Sequence, residues 1–291
     1  MTTLQALISI IDRHAKSPRQ FTSIDGLSIF NVKEPTSPVD SVYAPRICMV
    51  LQGQKRISSG GRTFDVHSGQ YFMSTIDLPV SASITAASEA NPHFAWSLEL
   101  SRQDLVEVLQ RFSPAERPSE SFGLTVGDQS CEMAETAFRL LGLLDRPDEL
   151  VVLLHATKFE LYYRFLQSEH GALLRDFATN GTMIANIGKV TSWIKDNFAK
   201  PMTILELANR VGMSPTSLHR HFKALTTMSP FEYRSAIRLQ EARRRLLIGG
   251  VSARRVAFDV GYDSQTQFTR EYKRLFGRPP AADTAHLRGV R

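Results

Sequence analysis

The sequence predicts an α+β chain of two unlike parts. An N-terminal part of short β-strands with flanking helices precedes an all-helical part built on two helix-turn-helix units. Three observations point there. Between Tyr43 and Ile84, β-rich runs are broken by Gly53, by Ser59-Gly-Gly-Arg62 and by His67-Ser-Gly69, the grammar of consecutive hairpins. In the last third, Leu207-Ala-Asn-Arg-Val-Gly-Met-Ser214 recurs 49 residues later as Val256-Ala-Phe-Asp-Val-Gly-Tyr-Asp263. Charge is segregated as well: residues 183–291 carry 19 Lys and Arg against 8 Asp and Glu, and residues 1–182 carry 16 against 21. The net +6 therefore comes entirely from the last third, which points to a polyanionic partner at one end of the chain.

At 291 residues the chain has room for about two domains. No apolar run approaches the ~18 residues of a membrane span. The opening MTTLQALISIIDRHAK has no basic n-region or small-residue cleavage site, and Leu4, Leu7, Ile8 and Ile11 read as one face of a short helix. Cys48 and Cys131 suggest neither a disulfide framework nor zinc spacing. A cytoplasmic protein is expected.

In the N-terminal part, many short strands at close spacing suggest a sandwich or small barrel. On the strand Arg46–Gln52, Ile47, Met49 and Leu51 share a core face. Arg46, Cys48, Val50 and Gln52 share the other, which can line a ligand cavity with a few polar groups. Arg46 is the candidate anion anchor, against a plain salt bridge. Cys48 is weighed as a sensor against inert packing. Leu150–Ser168 is apolar enough to bury nearly all round, and His170–Thr182, with Gly171, Asn180 and Gly181, reads as a linker. The domain bounds are thus 1–169, a linker at 170–182, and 183–291.

The helical part has its own punctuation. In each repeat a short helix ends at Gly212 or Gly261, which can take the left-handed turn, and Ala208 or Ala257 lets two helices cross closely. Met213 or Tyr262 follows, then a capped second helix. Ser214 caps the first with Pro215 at its first position, and Leu218, Phe222 and Leu225 form its buried stripe. Asp263 or Ser264 caps the second, with Phe268, Tyr272 and Leu275 as the stripe. The units span 203–226 and 252–276. Between them Ser229, Pro230 and Glu232 open a capped helix that stops at Gly249-Gly250. Its Arg243-Arg244-Arg245 run reads as a solvated face, with phosphate contact as the alternative.

These residues carry a resemblance. "GMSPTSLHRHFK", "SPFEYRSAIRLQEAR", "VGYDSQTQFTREYKRLFG" and the closing "PP" resemble the DNA-binding domain of AraC/XylS-type transcription regulators over about residues 184–285. Tyr43–Leu100 resembles, less specifically, the cupin-like β-barrel at the N-terminus of one subgroup. The resemblance implies dimerisation through the helices after the barrel, a small-molecule effector and RNA polymerase as a partner, and it names an activator while leaving activation against repression open. By position it implies base contacts from Thr216, His219, Arg220, Thr266, Gln267 and Arg270. It implies phosphate contacts from Ser214, Ser217, Lys223, Ser264 and Lys273. The side-chain types suit these roles, since Arg pairs with guanine, Gln with adenine, and a Thr methyl packs on thymine. One departure is visible. Thr227 stands where such proteins usually place Gly, and a β-branched residue disfavours positive φ, which counts against the left-handed turn there.

Two other function classes remain to be weighed. A cupin enzyme with a nucleic-acid-binding tail would need a metal set, and the strands offer only His67 and His93 with no His-x-His pair. No nucleophile elbow, phosphate loop or dinucleotide fingerprint occurs, so neither a catalytic residue nor a cofactor is assigned. An architectural DNA binder would not need two reader helices with distinct polar sets. The expected protein is a sequence-specific regulator of double-stranded promoter DNA, with no membrane partner.

Overall fold

The computed structural model describes residues 3–112 and 122–289; the outermost bounds expected at 1 and 291 lie outside them. After α1 (Thr3–His14) come β1 (Arg19–Phe21), β2 (Leu27–Val32), β3 (Val39–Tyr43), β4 (Arg46–Gln52), β5 (Gln54–Ser59), β6 (Arg62–His67), β7 (Gln70–Ser74), β8 (Leu78–Ala86) and β9 (His93–Glu99). Then follow α2 (Arg102–Arg111), β10 (Leu124–Asp128), α3 (Cys131–Gly142), α4 (Pro147–Gln167) and α5 (Gly171–Ala178). The helical end comprises α6 (Met183–Asn197), α7 (Ile204–Arg210), α8 (Pro215–Thr226), α9 (Pro230–Ile248), α10 (Ala253–Asp259), α11 (Gln265–Phe276) and α12 (Pro280–Gly289).

The strands form two antiparallel sheets, ordered β1-β2-β9-β4-β7-β10 and β3-β8-β5-β6. The hairpins fall where the glycines predict. Ser59 pairs with Arg62 across Gly60 and Gly61, both at positive φ, as a two-residue turn of the primed type requires. In β4 the pattern goes beyond simple alternation. Cys48 and Val50 are as fully buried as Ile47, Met49 and Leu51, because β4 lies inside its sheet and is covered on both faces.

Two expectations are corrected here. The helix around 150–168 is not buried all round. Its second half packs Leu161, Tyr162, Phe165 and Leu166 inward, whereas Val151, Val152 and Leu153 near its start are exposed, because no described element covers that end. The stretch read as a linker contains α5, whose Ala172, Leu173, Leu174 and Ala178 are buried between α4 and α6. Gly171 is there for space: a Cβ would meet the Leu166 carbonyl oxygen at 2.0 Å.

The core does not divide where the composition changes. One apolar cluster runs from the sheets through Ile187, Val190 and Ile194 of α6 to Leu207, Leu218, Phe222, Leu225 and Tyr233. A second is confined to the far end: Leu239, Ala242 and Leu246 of α9 with Val256, Ala257, Val260, Tyr262, Phe268 and Tyr272. The first helix-turn-helix unit is therefore packed into the same core as the strands, and the second stands apart.

Candidate nucleic-acid interface and cavity

The two units are built on the same plan. α7 opens with a capping box between Thr203 and Glu206, and α10 opens on Ser252. Each ends at a glycine of positive φ, Gly212 or Gly261, and the next residue bonds back to the small alanine. Met213 N–H donates to Ala208 O at 3.0 Å, and Tyr262 N–H donates to Ala257 O at 2.9 Å. α8 and α11 then start on Ser214 and Ser264, whose hydroxyl oxygens accept from the N–H of Ser217 and Gln267. That bond uses an oxygen lone pair and leaves each O–H able to donate to a phosphate.

With the helices so aimed, Leu218 and Phe222, like Phe268 and Tyr272, are fully buried. Thr216, His219, Arg220 and Lys223 are exposed on α8, as are Thr266, Gln267, Arg270 and Lys273 on α11, with Ser214 and Ser264 beside them and Ser217 half-buried. Among the described residues no carboxylate lies within 4.0 Å of Arg220, Lys223, Arg270 or Lys273. Gln267 is less free, since its amide donates to Glu271 at 3.0 Å. The arginine run on α9 behaves differently. Arg244 and Arg245 both bind Glu241, and Arg243 binds Asp40 and Asp283, so the run is held by acids and is not a simple solvated face.

Leu275 breaks the parallel. It is 48% exposed, whereas its counterpart Leu225 is fully buried. The N-terminal part bonds directly to the end of the first unit. Gly123 N–H donates to Leu225 O at 3.0 Å, and Thr227 Oγ1 donates to Gly60 O at 2.6 Å. α11 ends instead on Gly277 with Phe276 turned against Tyr272, ring centroids 4.5 Å apart. Thr227 also overturns the expectation about its backbone. It caps α8 at φ 61° and is the one non-glycine residue at positive φ among those described, held there by its bond to Gly60.

Between the two sheets lies a cavity of about 360 Å³, open to solvent on one side. Of the four residues expected to line it, Arg46 and Cys48 do. Val50 is sealed in the core beyond it, and the Gln52 amide is turned away to donate to Pro92 O at 2.9 Å. Arg46 is paired with Glu99 at 3.1 Å. Burial pushes the Cys48 thiol above its ordinary value, against the pull of Lys55, Arg46 and Arg19, which favours packing over thiolate chemistry. The sequence reading missed Lys55, whose ammonium lies 5.2 to 5.6 Å from the ring centres of Phe72, Tyr43 and Phe30. It also missed Ser97, a buried hydroxyl with no hydrogen-bond partner among the described residues. No periodicity marks either, because they meet only when strands of different sheets close on one another.

His93, weighed above as a metal ligand, sits at the start of β9 with its pKa pushed down to about 4 by burial, with Lys55 adding repulsion. No group of three or more His, Cys, Asp or Glu among the described residues is arranged to hold a metal ion. No helix among them is long and apolar enough to cross a membrane.

Comparison with known proteins agrees with this geometry. Residues 23–173 match the family described as the AraC-type transcriptional regulator N-terminus, and residues 207–285 match a helix-turn-helix domain. The thermoregulatory protein LcrF of Yersinia pestis is 25% identical over 264 residues, 87% of this chain and 91% of that protein. The transcriptional activator RhaS of Escherichia fergusonii is 30% identical over 96 residues, about a third of each chain (33% and 34%). In fold the chain is similar to apo ToxT of Vibrio cholerae, with a TM-score of 0.57 at 8% identity, covering 91% of this chain and 98% of that one. ToxT has also been solved with an unsaturated fatty acid bound.

Proposed function

This chain belongs to the AraC-type transcriptional regulators, and from that premise we propose how its parts divide the work. Residues 183–291 hold promoter DNA. α8 and α11 enter successive major grooves on one face of the duplex, about 34 Å apart. Thr216, His219 and Arg220 read bases in one groove and Thr266, Gln267 and Arg270 in the next. Ser214, Ser217, Lys223, Ser264 and Lys273 hold phosphates and set the register. The observation that carries this reading is the pair of like-built units whose second helices both present an exposed cation one turn in, with no acid to occupy it.

Residues 1–169 receive a small-molecule effector in the cavity between the sheets and make the homodimer. Val151 and Val152, 89% and 75% exposed with Leu153 beside them, form an apolar patch at the start of α4 suited to a second copy. RNA polymerase is the expected further partner, and the cytoplasm the expected place of action. The test is binding of the purified full chain to DNA from its own upstream region at fixed salt. Protection of two segments one helical turn apart on one face, absent on random duplex, is the expected result. Equal affinity for random duplex sinks the reading.

A further inference from the structure

The cavity between the sheets is unusual in its charge. Arg19 stands at its mouth, and Arg46 and Lys55 stand inside. The only carboxylate that reaches any of them within 4.0 Å, among the described residues, is Glu99, and it is bound to Arg46 and half exposed to water. Lys55 has aromatic rings on three sides and the Tyr43 hydroxyl as its polar neighbour. A half-buried ammonium in such company lacks the anion that would offset its loss of water.

The floor of the cavity is a row across three paired strands. Ser97 of β9 lies opposite Cys48 of β4, and Cys48 opposite Phe72 of β7. Ser97 contributes a buried O–H with no partner among the described residues. Over this floor the rings of Tyr43 and Phe72 stack at 5.6 Å and 16°, so the remaining wall is flat and apolar. Arg46 and Lys55 approach that same Tyr43 ring to 5.5 and 5.3 Å, which places two cations beside the aromatic wall.

We propose that this cavity takes a small organic carboxylate with an apolar body, its carboxylate held by Lys55, Arg46 and the Ser97 hydroxyl and its body against Tyr43, Phe72 and Phe30. The inference rests on the reading of the cavity as the effector site. A cationic ligand would meet three like charges. A neutral polyol would leave the ammonium uncompensated and lay its hydroxyls on aromatic rings. At about 360 Å³ the space is near the lower end of the ~300–1,000 Å³ usual for ligand pockets, so a single ring or a short chain fills it.

The test titrates the purified full chain by calorimetry with benzoate, octanoate, benzamide and benzylamine. In the same samples it measures specific binding to the upstream DNA. At least one of the two acids should bind saturably, and which one binds tells ring from chain. Benzamide should bind at least about tenfold more weakly than benzoate if the ring is preferred, and benzylamine should not bind. Lys55→Met should weaken the acid at least about tenfold, and Lys55→Arg should restore most of it. If Lys55→Met does not fold, the acid, amide and amine series on the unaltered protein decides alone. Saturable binding of neither acid, amide or amine binding as tight as acid, or an unchanged acid affinity in a folded Lys55→Met overturns the proposal. If that happens while specific DNA binding persists, the regulator reading stands without it. Loss of specific DNA binding in the unaltered protein is the separate failure of that reading.

Discussion

Arg243 of α9 is ion-paired to Asp40 of β3, and this pair joins the helix between the two helix-turn-helix units to a wall of the cavity. β3 has two faces, as a strand must. Val39, Ser41 and Tyr43 line the cavity, while Asp40 between them points the other way. Arg243 also holds Asp283 of α12 at 2.8 and 3.0 Å, and the same carboxylate accepts from the Tyr272 hydroxyl of α11 at 2.8 Å. A displacement of β3 by a ligand thus has a path of direct contacts to α11.

Asp40→Asn tests that path. Arg243 keeps Asp283 and the asparagine keeps an acceptor, so the expected loss of stability is ~1–3 kcal/mol, the range for a hydrogen bond to a charged group. The effect of a cavity ligand on DNA affinity, typically ~1–3 kcal/mol of coupling, should largely vanish while the ligand still binds. Asp283→Asn is the contrast. Asp283 is 2% exposed and serves both Arg243 and Tyr272, so urea denaturation should show a loss of ~3–5 kcal/mol. Undiminished coupling in Asp40→Asn excludes β3 as the route.

Gly60 and Thr227 provide a second test, at the seam between the first unit and the strands. A Cβ on Gly60 would lie 1.5 Å from Thr227 Oγ1 and 2.7 Å from Thr226 O, and the position has φ 55°. Its neighbour Gly61 has φ 79° but nothing within 4 Å of a Cβ. Gly61→Ala should therefore cost ~1–2 kcal/mol from backbone strain alone. Gly60→Ala should cost a further ~1–3 kcal/mol from the clash. Thr227→Gly relieves its own left-handed strain but loses the bond to Gly60, so alone it should be close to neutral. Combined with Gly60→Ala it should recover part of the loss, a non-additivity readable in thermal melts. Strict additivity would mean that the seam is not closed in solution.

What was legible in the sequence follows from how locally each feature is determined. The two helix-turn-helix units were legible because caps, the glycine turn and the Ala crossing are all set within about twenty residues, and because the pattern occurs twice. Leu275 was misread because its repeat mate Leu225 is buried in the large cluster shared with the strands, whose Gly123, about a hundred positions away, also bonds to its carbonyl, and the smaller cluster of the second unit does not take Leu275 in. Thr227 was misread for the same reason: its strained backbone is held by Gly60 from the other end of the chain. In the cavity, Arg46 and Cys48 were found by strand alternation, but Lys55 and Ser97 reach it through the pairing of the sheets, which leaves no local trace.

His93 predicts an acid limb. Its pKa is about 4 in the folded chain and near the ordinary 6.5 when unfolded. Between these values the unfolded chain binds the extra proton, so stability is complete above about pH 6.5 and falls as pH drops toward 4. The expected loss by pH 5 is ~2 kcal/mol. His93→Gln, whatever its cost at neutral pH, should flatten the profile over that window. Carboxylates held down by partners, such as Glu241 between Arg244 and Arg245, should produce their own loss only at lower pH, as they protonate. A limb of unchanged slope in His93→Gln assigns the acid sensitivity elsewhere.

The last prediction separates reading DNA from holding it. Arg220 and Arg270 are equivalent by the repeat, both exposed and opposite the buried stripes of their helices. Changing either to Ala should remove a bidentate base contact, cost ~1–3 kcal/mol and relax preference at one base pair. Lys223→Ala and Lys273→Ala should instead weaken binding to all sequences alike and lower the salt slope by about one phosphate each. The two units differ in their core: Leu218 and Phe222 of α8 share the large apolar cluster with the strands, whereas Phe268 and Tyr272 of α11 belong to the smaller one. A binding profile over all single base substitutions at fixed salt should show one altered position for each arginine variant, the two about one helical turn apart. If Arg270→Ala leaves the profile unchanged and Arg220→Ala alters it, only the first unit reads sequence and the second grips the backbone. If neither alters it, both helices hold phosphates only, and the assignment of readers is wrong.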